Sequence, residues 1–169
     1  AATLARGTTL IECAACEPEV VDLADCLNAM GARITGAGSP TIRINGVRRL
    51  RSADWRVIPD RIEAATFLVL GAITRSPIAV TGARYDHMMA FCHVLRQMRV
   101  TLERRGGSLA VVPGPRHRGT DVVTLPFPAF PTDCQAQIMA LASLAQGTSV
   151  ITERIYPERF MHAAELKRM

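Results

Sequence analysis

The stretch YDHMMAFCHVLRQM, residues 85–98, decides the fold because two other stretches repeat its pattern. Residues 17–30 read EPEVVDLADCLNAM, and residues 156–169 read YPERFMHAAELKRM. In all three, apolar residues recur at helical spacing along one stripe. These residues are Val20, Leu23, Ala24, Leu27 and Met30, then Met88, Phe91, Cys92, Leu95 and Met98, then Ala163, Leu166 and Met169. A repeat of roughly 70 residues indicates a supersecondary unit that buries its apolar face only against neighbouring copies.

Each of the first two helical stretches is followed by residues that favour β-strands, with glycine-containing turns between them. These residues are 32–35, 41–44, 100–103 and 108–112. No residue follows Met169, and residues 1–8 are similar to residues 141–148 at the end of a predicted helix. We therefore expect an α/β chain of repeated units that is incomplete at both ends and was part of a longer protein.

The composition is typical of a globular α/β protein. Hydrophobic residues make up 49% of the chain, which is enough to supply a core. The longest apolar run, residues 64–73, contains Thr66 and has about half of the ~20 residues that a membrane-spanning helix needs. No signal peptide precedes it. These features predict a soluble, cytoplasmic protein that does not enter a membrane.

The net charge of +5 comes almost wholly from arginine, since Lys167 is the one lysine. Arginine presents a planar fork of donors, so an arginine-lined cleft for an anionic ligand is one interpretation. The other is solvated charge, because the arginine clusters lie in turn-like stretches. The clusters are Arg48, Arg49 and Arg51, then Arg104 and Arg105, then Arg116, His117 and Arg118. Aromatic residues make up only 5% of the chain, which argues against a nucleic-acid partner.

Five cysteines, an odd number without a secretory signal, indicate reduced thiols. Cys13 and Cys16 form a single CxxC, and no second ligand pair lies at zinc spacing, so no metal site is predicted. Cys92 falls on the helical stripe and is expected to be a small core residue. Cys134, just inside a predicted helix start, is the candidate for a reactive thiol.

The stretch LPFPAFPTDCQAQ, residues 125–137, is the one expected to carry chemistry. Its three prolines keep the backbone extended and remove amide donors, so it cannot be a central strand. It leads into a helix predicted over residues 134–146, at whose start Thr132 and Asp133 lie. Asp133 has two interpretations. One is a helix N-cap, like Asp60 after its own proline. The other, which does not exclude a cap, is a fixed carboxylate that accepts a hydroxyl proton at the mouth of a cleft.

Four long stretches give the chain a family resemblance. They are EPEVVDLADCLNAMGARI (residues 17–34), RVIPDRIEAATFLV (56–69), PAFPTDCQAQ (128–137) and GTSVITERIYPERFMHAAELKRM (147–169). In this order they resemble the UDP-N-acetylglucosamine 1-carboxyvinyltransferases, the enolpyruvyl transferases that open peptidoglycan synthesis. The resemblance extends over the whole chain, and several long motifs in the same order are far more specific than one short pattern.

The resemblance implies two domains, each an inside-out α/β barrel of three similar units whose helices are buried between sheets. The active site of the family lies in the cleft between the domains. On this template residues 1–58 are the last unit of one domain. Residues 59–169 are the first unit of the second domain and the start of its next unit. The hinge is expected near residues 57–60, where Pro59 restricts the backbone.

The resemblance also implies a reaction. The family transfers the enolpyruvyl group of phosphoenolpyruvate to the 3-hydroxyl of UDP-N-acetylglucosamine and releases phosphate. Asp133 corresponds to the aspartate that contacts and deprotonates this hydroxyl, and Ile155 to a nucleotide-sugar contact through the backbone. Tyr156 stands where an aromatic ring packs nearby, and Arg159 corresponds to an arginine near the anionic site, the alternative being a surface helix charge. No cofactor and no metal is implied.

The lysine and asparagine of the family that meet phosphoenolpyruvate, its loop cysteine and further arginines have no counterpart in this sequence. Without those cations, transition-state charge would be poorly compensated, so we expect this chain alone to be inactive. Two alternatives stay open. One is a non-catalytic module that binds a nucleotide sugar or associates with itself through incomplete apolar faces and sheet edges. The other is a 3-phosphoshikimate enolpyruvyl transferase of the same fold, although residues 128–137 and 159–169 favour the nucleotide-sugar enzyme.

Overall fold

The computed structural model describes every residue, Ala1–Met169, and contains five α-helices and eight β-strands. It divides into two compact units, Ala1–Ile58 and Pro59–Met169. The assignment of these units to separate domains of a family stays a prediction. None of the five helices combines the length and the apolar character that crossing a membrane requires.

The first unit is one helix packed on a three-stranded antiparallel sheet. Its elements are β1 (Thr8–Glu12), α1 (Pro18–Ala29), β2 (Arg33–Thr35) and β3 (Thr41–Asn45). In the sheet, β3 lies between β1 and β2. Pro18 occupies the first turn of α1, where a missing amide donor is tolerated. At the other end, the Asn28 side chain donates to and accepts from the backbone of Ile34, at 2.9 Å each, and thereby fixes the helix to β2.

The core of the first unit is small. Its buried residues are Ala24, Ile34, Ile42 and Ile44. The stripe predicted along α1 is only partly buried, since Ala24 is 5% exposed but Leu23 is 59% exposed. Leu23 therefore stays exposed within this unit, because the short sheet covers only the side of the helix centred on Ala24.

The second unit contains a second copy of the same arrangement. Its elements are β4 (Ile78–Thr81), α3 (Met89–Gln97), β5 (Thr101–Arg105) and β6 (Ser108–Val112). In this sheet β6 lies between β4 and β5, which repeats the strand order of the first unit. The predicted stripe from Met88 to Met98 is buried, and each of its members is at most 4% exposed. The repeated unit predicted from the sequence is therefore present.

A longer helix, α2 (Arg61–Thr74), precedes β4. Asp60 caps its start, because the carboxylate accepts from the backbone amides of Ile62 at 2.7 Å and Glu63 at 3.1 Å. Farther along α2, Leu68 is fully buried in the main core of the second unit. Residues of α3 and β6 belong to the same core. Later residues of the second unit, among them Val122, Phe130 and Ile138, also pack in this core.

The remainder of the second unit contains two short strands and two helices, and its assignment as the start of a further copy stays a prediction. Its elements are β7 (Val122–Val123), α4 (Gln135–Ala142), β8 (Ile151–Thr152) and α5 (Met161–Arg168), and β7 pairs with β8 in parallel. The helix predicted over residues 134–146 is shorter than expected. A separate 3₁₀ turn, Thr132–Cys134, precedes α4. The α-helix stops at Ala142 because the next amides, those of Leu144 and Ala145, donate to the carbonyls three residues earlier, Leu141 at 3.2 Å and Ala142 at 3.1 Å.

Candidate functional site

A buried carboxylate organises the residues that follow β7 and β8. Glu153 comes directly after β8 and is 9% exposed. Its Oε1 accepts hydrogen bonds from the Thr124 hydroxyl at 2.6 Å and from the amides of Ile155 at 2.8 Å and Tyr156 at 3.1 Å. Its Oε2 accepts from the Thr132 hydroxyl at 2.8 Å. One carboxylate therefore connects three separate stretches of the chain.

These donors stabilise the ionised form of Glu153. Burial raises the pKa of the carboxyl group, but the hydrogen bonds from Thr124, the amides of Tyr156 and Ile155, and Thr132 together favour the charged form more strongly. The pKa of Glu153 therefore lies below its ordinary value of 4.5. A charge can be buried at tolerable cost only when hydrogen bonds replace the water it loses, and here they do.

Thr132 connects Glu153 to an exposed ion pair. The hydroxyl has one proton, which it donates to Glu153, so its lone pairs accept from Arg159 Nη1 at 3.0 Å. The same nitrogen donates to Asp133 Oδ1 at 2.8 Å. The side chains of Asp133 and Arg159 are 47% and 41% exposed, so a ligand in solution can reach both.

Asp133 does not cap a helix. No side chain caps either the 3₁₀ turn Thr132–Cys134 or α4, and the Asp133 carboxylate contacts Arg159 instead. The N-cap interpretation of Asp133 is therefore wrong, although the similar motif at Asp60 does form a cap. The 3₁₀ turn explains the difference because Asp133 lies inside that turn rather than before its first residue.

The two remaining predicted contacts lie beside this ion pair. The Ile155 amide is occupied by Glu153, so the carbonyl is the Ile155 backbone group left for a ligand. Tyr156 is 59% exposed, and the Arg159 guanidinium lies over its ring at 5.3 Å from the centroid. The structure therefore brings together the four predicted site residues, which are Asp133, Ile155, Tyr156 and Arg159.

Gln135 holds the backbone of the same arginine. Its side chain is 1% exposed, and its Nε2 donates to the Arg159 carbonyl at 3.1 Å. Its Oε1 is buried and has no hydrogen-bond partner in the protein. Because Asp133 and Gln135 lie two residues apart, one short stretch contacts Arg159 at both its side chain and its backbone.

Aromatic contacts anchor the proline-rich stretch. The Leu125 amide donates to the Phe130 carbonyl at 3.1 Å, which closes the stretch into a loop, and no strand forms there, as predicted. Phe130 is 5% exposed, and its ring lies 6.1 Å from that of Phe91, centroid to centroid. On the other side the Arg61 guanidinium lies over Phe127, 5.7 Å from the ring centroid. The residues that lead to Asp133 are therefore fixed to α2 and α3.

Cys134 is not an accessible thiol. It is 1% exposed, and burial raises its pKa to about 12 despite the nearby positive charge of Arg61. The prediction of a reactive thiol at a helix start is wrong because this side chain is part of the main core. Burial likewise raises the pKa of Cys92 to about 11, and Cys92 is the core residue that the sequence predicted.

We expect alkylation to separate the cysteines by burial. In the native chain at neutral pH, the exposed Cys13 should react roughly a hundredfold faster than Cys92 and Cys134, because the thiolate is the reactive species and burial suppresses it. Peptide mass spectrometry measures the rates. Labelling in denaturant is the control, since the same cysteines should then react alike. Native Cys134 reacting as fast as Cys13 would contradict the burial argument.

The other charged and metal-binding residue types do not assemble a second site. No three side chains of histidine, cysteine, aspartate or glutamate lie close enough to hold a metal ion. The predicted arginine clusters are exposed, as expected for solvated charge. His117, however, is buried, and its Nε2 lies 2.8 Å from the Ala72 carbonyl, so the solvated interpretation is wrong for this residue.

Glu153 is the residue of this site that the sequence prediction missed. Its hydroxyl partners Thr124 and Thr132 lie 29 and 21 residues away, so nothing close to it in the sequence indicates a buried charge. The parallel pairing of β7 with β8, had it been predicted, would have pointed to Glu153. Thr124 and Glu153 directly follow the two strands and therefore lie at the same end of the sheet.

Comparisons with known proteins match the whole chain. The family model described as EPSP synthase (3-phosphoshikimate 1-carboxyvinyltransferase) matches residues 1–169. A UDP-N-acetylglucosamine 1-carboxyvinyltransferase of Prochlorococcus marinus is 54% identical over 100% of the chain and 39% of that protein. The UDP-N-acetylglucosamine 1-carboxyvinyltransferase 1 of Staphylococcus aureus is 52% identical over 100% of the chain and 40% of that protein. The chain thus spans about two fifths of the length of these curated relatives.

Solved structures share the fold. The enolpyruvyl transferase NikO from Streptomyces tendae matches with a TM-score of 0.85 and 26% identity, over 98% of this chain and 40% of that one. An EPSP synthase from Acinetobacter baumannii matches with a TM-score of 0.58 and 22% identity, over 87% of this chain and 35% of that one, which bears on the fold alone. The α/β architecture of enolpyruvyl transferases, expected from the repeats and the resemblance, is confirmed.

Proposed function

Because the chain belongs to the EPSP synthase family, we propose that it forms part of an enolpyruvyl transferase acting on phosphoenolpyruvate and UDP-N-acetylglucosamine. The enolpyruvyl group would move to the 3-hydroxyl of the sugar, a step of peptidoglycan synthesis. Identity of 52–54% over the full chain to enzymes named for this sugar nucleotide favours it over 3-phosphoshikimate. The single observation that supports the site is the exposed Asp133 carboxylate, fixed beside Arg159.

In this proposal Asp133 is the base. Its carboxylate is exposed to solvent, and Oδ1 accepts a hydrogen bond from Arg159 Nη1, so a sugar hydroxyl can approach the other oxygen. As the hydroxyl oxygen bonds to C2 of phosphoenolpyruvate, its proton passes to Asp133, the C2=C3 π bond breaks, and C3 gains a proton from a donor that is not among the residues of this site. In the later collapse of the tetrahedral adduct the bond from C2 to the phosphate oxygen breaks and C3 loses a proton, which restores the double bond. A carboxylate held on a rigid turn is suited to this role because little reorganisation is needed.

The neighbours of Asp133 would hold the nucleotide sugar. Arg159 uses Nη1 for Thr132 and Asp133, and its remaining N–H groups can bind an anionic group of a substrate. The Ile155 carbonyl can accept from a ligand N–H or O–H, and the exposed Tyr156 ring offers an apolar surface. Most contacts to phosphoenolpyruvate are assigned to parts of the longer relatives that this chain does not match.

We expect UDP-N-acetylglucosamine to stabilise the chain against thermal unfolding, by about 2.7 kcal/mol at a hundred times its Kd. D133N should weaken binding roughly tenfold to a hundredfold, because it removes a charged hydrogen-bond acceptor. Differential scanning calorimetry measures the stabilisation, and isothermal titration calorimetry measures the affinity. The matched control is D86N, since Asp86 also pairs with an arginine, Arg84 at 2.6 Å, and is 58% exposed.

Two results would contradict the proposal. One is equal affinity of the wild-type chain and D133N for the sugar nucleotide. The other is a loss in D86N as large as that in D133N, which would indicate a general charge effect. Phosphate release from phosphoenolpyruvate and UDP-N-acetylglucosamine is expected to be undetectable with the 169-residue chain alone, and measurable release would contradict that part of the account.

A further inference from the structure

Glu153 takes no part in the proposed proton transfer, yet it receives more hydrogen bonds than any group around it. We propose that Glu153 is a positioning residue that fixes the Arg159–Asp133 pair through the Thr132 hydroxyl and so presents Asp133 to the sugar. The inference rests on the proposed function for the identity of the ligand. The positioning itself rests on the contacts alone.

The hydrogen bond between Thr132 and Glu153 can run in only one direction. An ionised carboxylate only accepts, so the Thr132 proton must point to Glu153 Oε2, at 2.8 Å. The threonine oxygen is thereby left with lone pairs toward Arg159 Nη1, at 3.0 Å. If residue 153 lacked an ionised carboxylate, the Thr132 hydroxyl could rotate and turn its proton toward the Arg159 guanidinium. The positively charged guanidinium would repel that proton.

Arg159 is held by two acceptors that share one of its nitrogens. Nη1 carries two N–H groups, and one goes to Thr132 while the other goes to Asp133 at 2.8 Å. Two acceptors on one nitrogen fix the rotation of the guanidinium plane. An ion pair as exposed as this one contributes little by itself and would otherwise sample many geometries. The buried anchor is what converts the pair into a defined arrangement.

The other oxygen of the Glu153 carboxylate holds the backbone of the predicted ligand contacts. Oε1 binds the amides of Ile155 and Tyr156, the two residues expected to contact the nucleotide sugar. One rigid group therefore sets the spacing between the base, held through Thr132, and the ligand contacts, held directly. Side chains that act through others in this way preserve geometry on the scale that a reaction requires.

The test compares the 169-residue chain with E153Q, T132V and T132S. E153Q keeps the shape of the side chain but presents an amide where an oxygen accepted from Thr132. T132S retains the hydroxyl and is the conservative rescue. E165Q is the matched control, because Glu165 also pairs with an arginine, Arg168 at 2.6 Å, but is 63% exposed and shares no hydrogen-bond partner with Glu153. Arginine side-chain ¹H–¹⁵N spectra report whether the Arg159 guanidinium is held, and titration with UDP-N-acetylglucosamine reports the consequence.

We expect E153Q and T132V to lose the resolved Nη signals of Arg159 and to bind UDP-N-acetylglucosamine roughly tenfold more weakly. T132S and E165Q should behave as the wild-type chain does. Resolved Arg159 signals in both E153Q and T132V, or an unchanged affinity in E153Q, would overturn the proposal. If E153Q fails to fold, T132V decides, because it removes one hydroxyl and leaves the other donors to Glu153. If the wild-type chain binds no UDP-N-acetylglucosamine, the proposed function fails, while the arginine spectra still decide the positioning role.

Discussion

Replacing Phe91 by alanine is expected to lower the free energy of unfolding by about 3–5 kcal/mol, the usual effect of removing a buried aromatic ring from a core. Phe91 is 1% exposed and lies on the fully buried stripe of α3. Its ring also contacts Phe130, whose carbonyl closes the proline-rich loop. The substitution therefore removes core packing and the support beneath the residues that lead to Asp133.

Urea unfolding followed by circular dichroism measures this effect. F67A is the matched control, because Phe67 lies on α2 but is 44% exposed, and its loss should cost about 1 kcal/mol or less. A difference between F91A and F67A smaller than about 1 kcal/mol would show that the second unit does not have the core described above.

Replacing Thr124 by valine is expected to lower the free energy of unfolding by about 2–3 kcal/mol at neutral pH. Thr124 is fully buried, and its hydroxyl donates to Glu153 at 2.6 Å while accepting from the Arg154 amide at 2.9 Å. Valine has nearly the same shape but offers neither contact. A buried carboxylate then lacks a donor and a backbone amide lacks an acceptor, and both losses are expensive.

The cost of T124V should depend on pH. The pKa of Glu153 is lowered in the folded state, so the stabilisation from its hydrogen bonds is complete above the ordinary value of 4.5 and is lost as the pH falls through the folded pKa. Urea unfolding at pH 7 and at pH 3 should therefore give a smaller difference between wild type and T124V at the lower pH. T74V is the control, because Thr74 is exposed and its hydroxyl bonds only to the Leu70 carbonyl of its own helix. An effect of T124V that is unchanged between the two pH values would exclude Glu153 as its source.

The parts of the fold that sequence predicted well are those decided by local pattern. The stripe of α3, the hairpin after it and the absence of a strand in the proline-rich stretch follow from spacing and from the geometry of proline, which act over a few residues. That stretch is not extended as predicted, because the Leu125–Phe130 hydrogen bond closes it into a loop. Asp60 is a cap because nothing intervenes between it and its helix. Asp133 also follows a proline but is not a cap, because it lies inside a 3₁₀ turn instead of before the first residue of a helix. Packing, and not the local motif, decides whether such a turn or an α-helix forms there.

The parts that sequence missed depend on residues distant along the chain. Glu153 is a site residue only because β7 and β8 pair and bring Thr124 beside it. Cys134 is inert because its side chain lies in the main core. Cytoplasmic localisation, the lack of a nucleic-acid partner and self-association of the chain stay predictions.

The central claim is that the residues around Asp133 and Arg159 form a nucleotide-sugar site, and an NMR titration of the ¹⁵N-labelled chain with UDP-N-acetylglucosamine tests it most directly. The account predicts saturable shifts in the backbone amides of residues 132–135 and 154–159 and in the Arg159 side chain, all of them much reduced in D133N. Saturable shifts confined to other residues, such as the exposed arginines of β5, or no shifts at all, would contradict it.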